Sequence, residues 1–124
     1  MPAAAIALCV LLALLAIFQL ALALGAPLGR FAWGGQHRVL PARLRVGSAV
    51  SIVIYAIIAV LALDRAGLVD VVSDAVSTVG MWIVFAYFVL GIAMDAISRS
   101  RAERLTMTPV VIVLAVLSLL VAIG

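Results

Sequence analysis

Four apolar runs of about 20 residues, the length of one bilayer crossing, constrain this chain more than any other feature. The first, from Ala3 to Leu24, holds no charged side chain and is interrupted only by Gln19. Soluble domains carry about half their residues as apolar types, whereas here the share is 69%, with 10% charged. A 124-residue globule has too little interior to bury that excess, and a bilayer is the solvent that accepts it. The pattern predicts an all-α fold: an antiparallel bundle of four transmembrane helices over about 3–24, 41–63, 79–97 and 108–123. These form a single membrane domain over 1–124, with a connector over 25–40.

Helix punctuation supports these bounds. Gly25 and Pro27 stop the first span, and Pro41 suits the first position of the second, because proline lacks only an N–H that a helix start leaves free. Asp64, Arg65 and Gly67 close the second span. Asp70, Ser73, Asp74 and Ser77 then fall on one side at helical spacing, which predicts an interfacial turn or an outward extension of the third helix. Thr108 and Pro109 read as N-cap and first residue of the last,. Residues 1–24 lack the basic n-region of a secretory signal and stay apolar beyond the usual signal length, so they are expected to be a retained helix.

Seven of the eight arginines fall in the first and third breaks or beside them, and one, Arg65, in the second. By the positive-inside bias, the first and third connections are expected in the cytoplasm and both termini outside. The connector stretch Gly25 to Val46 holds Arg30, Arg38, Arg43 and Arg45, with His37, the chain's only histidine, and Trp33. Such a cluster suits anionic headgroups, at about 1 kcal/mol per arginine near the surface. Trp33 and Phe31 suit interfacial anchoring, and Gly34 and Gly35 allow backbone turns whose N–H groups can hold an anion. Membrane lipids with anionic headgroups are therefore the expected partners, alongside a second copy or a larger membrane protein.

Packing in lipid relies on close approach through small side chains and a few polar contacts. Stripes at three and four spacing offer both: Ala5, Cys9, Leu12, Ala16, Gln19 and Ala23; Ser48, Ser51, Tyr55, Ala59 and Ala62; Gly80, Val84, Tyr87, Gly91 and Asp95; Thr108, Val111, Ala115, Ser118 and Ala122. If these stripes face one another, Gln19, Ser51, Tyr55, Tyr87 and Asp95 line a polar vestibule on the arginine side. An intramembrane acid is costly and a functional candidate by default, but Asp95 also has Arg99 four residues on, the spacing of a helical ion pair. That structural role, with Arg99 or a connector arginine, is the leading expectation. For Gln19 it is a hydrogen bond to Ser51, Tyr55 or backbone.

Composition excludes several chemistries. A net charge of +3 without any lysine is no nucleic-acid surface. One cysteine, Cys9, and one histidine make neither a disulfide nor a CxxC pair,, and no metal or cofactor is expected. No catalytic set surrounds His37.

Residues 18–51, FQLALALGAPLGRFAWGGQHRVLPARLRVGSAVS, and 96–110, AISRSRAERLTMTPV, resemble a group of small four-helix bacterial integral membrane proteins. The resemblance implies the bacterial cytoplasmic (inner) membrane and carries no activity with it. Small multidrug exporters match in length, but they need a carboxylate inside the first helix, which is absent here. Vitamin K epoxide reductase-like proteins need paired cysteines. The leading expectation is a non-enzymatic accessory or lipid-interacting protein. A small dimeric transporter using the vestibule comes second, and a lipid-modifying enzyme joining His37 and Asp95 third.

Overall fold

The computed structural model describes residues 2–124. Its four long helices are α1 (Pro2–Ala23), α2 (Ala42–Arg65), α3 (Asp74–Ala96) and α4 (Arg101–Ala122). There are no strands among the described residues. All four helices are long and apolar enough to cross a bilayer, and at 1.5 Å per residue each spans about 33 Å. This is a multi-pass membrane protein with an all-α, up-and-down bundle. α1 packs against α2 and α4, and α3 against α4 and α2, so α1 and α3 occupy opposite corners.

Glycine ends two of the helices. Gly25, at φ +95°, lets its N–H reach the Leu22 carbonyl at 3.1 Å while the Ala26 N–H reaches Ala21 at 2.9 Å, a paired closure that side chains with a Cβ resist. Gly67 repeats this at the end of α2, with Leu68 bonded to Leu63 at 2.9 Å. Two arginines take up carbonyls left over at helix ends. Arg45 Nε donates to the Ala23 carbonyl at 2.9 Å, closing α1, and an Arg65 guanidinium nitrogen donates to Ala122 at 3.1 Å, closing α4.

The start of α3 follows one of the two alternatives the sequence left open, and the starts of α4 and α2 differ from expectation. The third helix begins at Asp74, where Ser73 caps it through the Val76 N–H at 3.3 Å, so the polar stretch before residue 79 extends the helix. The fourth begins at Arg101, well before Thr108. Ser100 is its N-cap, accepting from the Glu103 N–H at 3.3 Å. The Ser-x-x-Glu spacing is a helix-start signal that outweighs Thr108 and Pro109, and Pro109 lies inside the helix. Pro41 is the N-cap of α2 and not its first helical residue.

The tight core occupies the half of the bundle where the chain begins and ends, here called the terminal half. Leu8 and Leu12 of α1, Ala62 of α2, Met81 of α3, and Val121 of α4 are almost wholly buried there. Small residues at Ala5, Ala62, Ala115 and Ala122 let the backbones approach,. The predicted stripes on α1, α2 and α4 face inward at these positions. On α3 the buried line is Ser77, Met81, Val84 and Phe88, one position off the predicted stripe on either side of Val84, which leaves Tyr87 half-exposed.

Candidate functional site

The opposite end, the connector half, is built differently. Residues 24–41 fold across the end of the bundle as two short 3-10 turns, Gly29–Phe31 and Trp33–Gly35. The first turn is tied to the returning segment of the connector by the Gly29 N–H, which donates to the Arg38 carbonyl at 2.9 Å. A Cβ at Gly29 would collide with the His37 carbonyl oxygen, and one at Gly35 with the Ser100 side chain. Both positions therefore require glycine. The Ser100 hydroxyl also donates to the Arg30 carbonyl, fastening the connector to the start of α4.

Trp33 fixes the connector to α2. Its indole N–H donates to Ser48 Oγ at 3.1 Å, and its ring lies against Gly47, where a Cβ would meet ring carbons at 2.9 Å. To do so Trp33 adopts φ +53°, a conformation costing a bulky residue roughly 1–2 kcal/mol. The hydrogen bond to Ser48 and the ring contact offset that cost.

Beneath this roof lies a cavity of ≈ 520 Å³, within the range of small-molecule sites,. Phe31 to Gly34 of the connector line it from above, and all four helices contribute walls. Six aromatic side chains line it among aliphatic ones: Phe18, Phe31, Trp33, Tyr55, Tyr87 and Phe88. Gln19 and Ser51 supply neutral polar groups, and Asp95, Ser98 and Glu103 sit together at the end nearest the α3–α4 turn. The exposed lining residues are Trp33 and Gly34 of the connector and Tyr87, Leu90 and Met94 of α3. The mouth thus lies between the connector's edge and the outer face of α3, a face whose exposed apolar side chains belong against lipid.

The polar groups have specific partners. Gln19 Nε2 donates to Tyr55 Oη at 3.3 Å, the interhelical bond expected for it, while Gln19 Oε1 is buried without a partner. Ser51 donates back to the Gly47 carbonyl at 3.0 Å. The Glu103 carboxylate, on a residue 7% exposed, accepts from the Ser98 hydroxyl at 3.0 Å.

Asp95 departs from expectation. Its charged neighbour is another acid, Glu103, and among the described residues it forms no ion pair with Arg99 or a connector arginine. α3 stops at Ala96 with Ile97 as its C-cap, so Arg99 lies beyond the helix and the four-residue register that would join them is broken. Arg99 is exposed.

The eight connector-side residues expected to bind headgroups divide into groups. Arg30, Gly35, His37 and Arg38 line a second recess with Pro27. Trp33 and Gly34 face the first cavity. Arg45 is committed to Ala23, and Arg43 is exposed and belongs to neither recess. His37 and Asp95 line different cavities, so the pairing that a lipid-modifying enzyme would need is not made. Among the described residues no three His, Cys, Asp or Glu side chains converge as metal ligands.

Sequence reasoning missed Glu103, because the last helix was expected to start only at Thr108 and residue 103 fell in the loop before it. The signal was present: Ser100-x-x-Glu103 before an apolar run marks a helix start. It brings Glu103 into the bundle wall, across from the end of α3. Comparison with family models, curated proteins and solved structures finds no match.

Proposed function

We propose that this is a non-enzymatic binding protein of the membrane that admits an amphipathic molecule from the bilayer into the cavity of its connector half. The observation that carries this reading is the ≈ 520 Å³ cavity, mostly aromatic and aliphatic, whose exposed lining lies on the outer face of α3. A ligand with an apolar tail reaches such a mouth sideways through the acyl chains, and its head rests among Gln19, Ser51, Asp95 and Glu103. The arginine-bearing end lies in the cytoplasmic leaflet of a bacterial inner membrane, both termini outside. Arg30, Arg38 and His37 around the second recess hold anionic headgroups there,. Binding of this kind suits an accessory role beside a second copy or a larger membrane partner.

The test uses Trp33 as reporter, in a Trp82→Phe protein reconstituted in nanodiscs. A bromine-tailed amphiphile is expected to quench Trp33 along a saturating curve, and Ser51→Phe, which fills the cavity, to abolish saturation. Quenching that rises without a plateau and matches that of Trp82 in a Trp33→Phe protein would mean simple partitioning and end the proposal.

A transporter reading draws support from the same polar lining. Against an open pore stands the terminal half, where Leu8, Leu12, Met81 and Val121 close the bundle. Liposome flux unaffected by Asp95→Asn and Gln19→Leu would rule out transport along this lining.

A further inference from the structure

Building on the proposed uptake of amphipathic molecules, we infer that the cavity selects an organic cation: an ammonium group carrying an apolar tail. The argument is charge complementarity inside a confined space. The charged side chains in the cavity wall are both acids, Asp95 and Glu103, and no arginine or histidine lines it. This holds at the arginine-rich end of the molecule, where seven of eight arginines are found in sequence. Arg30, Arg38 and His37 point their chemistry into the separate recess, and Arg45 is spent on the α1 terminus. The fold sorts basic groups outside the cavity and acidic ones within it.

Two adjacent carboxyl groups leave negative charge in an apolar wall, and a cation beside them offsets it. The surrounding rings give the same preference independently, because the faces of Trp33, Tyr55, Tyr87 and Phe88 are electrically negative and attract a desolvated cation,. Gln19 adds a buried carbonyl oxygen with no partner, and that oxygen can only accept or face positive charge. A bare metal ion fits less well, since two carboxylates amid aromatic rings give few hard oxygen ligands. The tail would lie along Leu90 and Met94, which line the cavity and are 62% and 61% exposed at its mouth.

An ammonium headgroup comes from two sources, an ethanolamine lipid or a free lipophilic amine, and the experiment separates them. Trp82→Phe protein in neutral maltoside micelles is titrated with three C12 amphiphiles, dodecyltrimethylammonium, dodecanol and laurate, while Trp33 fluorescence is followed. The cation is expected to bind about tenfold or more tightly than the neutral alcohol, as a desolvated cation–ring contact alone is worth, and laurate weakest. Asp95→Asn should erase most of that preference, bringing the affinities for the cation and for dodecanol together; Glu103→Gln, which keeps an acceptor for Ser98, should do the same. Competition by short-chain phosphatidylethanolamine and not by phosphatidylglycerol would identify the lipid as source, and no competition by either would identify the free amine. Saturable binding with equal affinities for all three heads, or a preference for laurate, overturns the cation inference and leaves amphiphile uptake standing. No saturable response to any of them overturns both. Because the charge series is run on a protein with both acids intact, it decides the matter even if an acid variant fails to fold.

Discussion

In the terminal half, Leu8, Leu12, Met81 and Val121 interlock with almost no exposure, whereas in the connector half Leu15, Met94 and Met107 stand around open space. Both ends use apolar side chains on the same four helices. The difference lies in what sits at the facing positions. Alanines at 5, 62, 115 and 122 let the backbones close up in the terminal half. Phe18, Tyr55, Phe88 and Met107 hold them apart in the connector half. Lipid supplies no hydrophobic pressure to collapse the gap, so an open cavity survives there if something covers its end. The connector provides that cover, pinned by Trp33 to Ser48 and by Arg30 to Ser100.

The largest contrast should come from truncation. Leu12→Ala removes a fully packed side chain and is expected to cost about 2–3 kcal/mol, near the low end of core values because the lipid-facing reference loses the water-transfer part. Leu15→Ala, at the cavity wall, should cost well under half of that. SDS-driven unfolding in mixed micelles measures both, and equal losses would erase the distinction between the halves.

Enlargement reverses the test. Ala62→Leu overfills a closed contact and should destabilise by about 1–3 kcal/mol, while Ser51→Leu fills empty space and should stabilise by roughly 0.5–1 kcal/mol. A destabilising Ser51→Leu would mean that the cavity is already occupied by side chains.

The terminal half also has its own polar fastening, which sharpens the comparison. The Asp64 carboxylate accepts from the Val71 and Val72 N–H groups at 2.7 and 2.9 Å, holding the α2–α3 turn. Asp64→Ala should lower stability, because two backbone N–H groups lose their acceptor, and speed hydrogen exchange at those two amides without changing exchange in the connector. The smallest effect belongs to the Gln19–Tyr55 bond. A double-mutant cycle with Gln19→Leu and Tyr55→Phe should give a coupling of about 0.6 kcal/mol, the average for such contacts in membrane bundles.

Much of this could be read from residue order. Runs of about bilayer length admit only helices or closed barrels, and their uninterrupted apolar character chose helices. Gln19, Ser51, Tyr55, Tyr87 and Asp95 could be placed at one end because helical rise fixes depth. Small-residue stripes on α1, α2 and α4 followed from the three and four spacing. Tyr87 and Asp95 show where that reasoning stops. Rotation of α3 about its own axis is set by its neighbours, and it turned Phe88 inward and left Tyr87 at the mouth. Asp95 faced an acid because α3 ended before Arg99 could come round.

Sequence alone determined the solvent, the number of crossings and the end of the molecule at which the arginines gather, since each depends on chain-local hydrophobicity and order. Only the tertiary structure decided that the connector lies across the bundle end as a lid, that Glu103 joins Asp95, and that the basic and acidic groups occupy separate recesses. Those outcomes depend on which side chains meet across helices that are far apart in the chain, and contact of that kind leaves no periodic trace in the sequence.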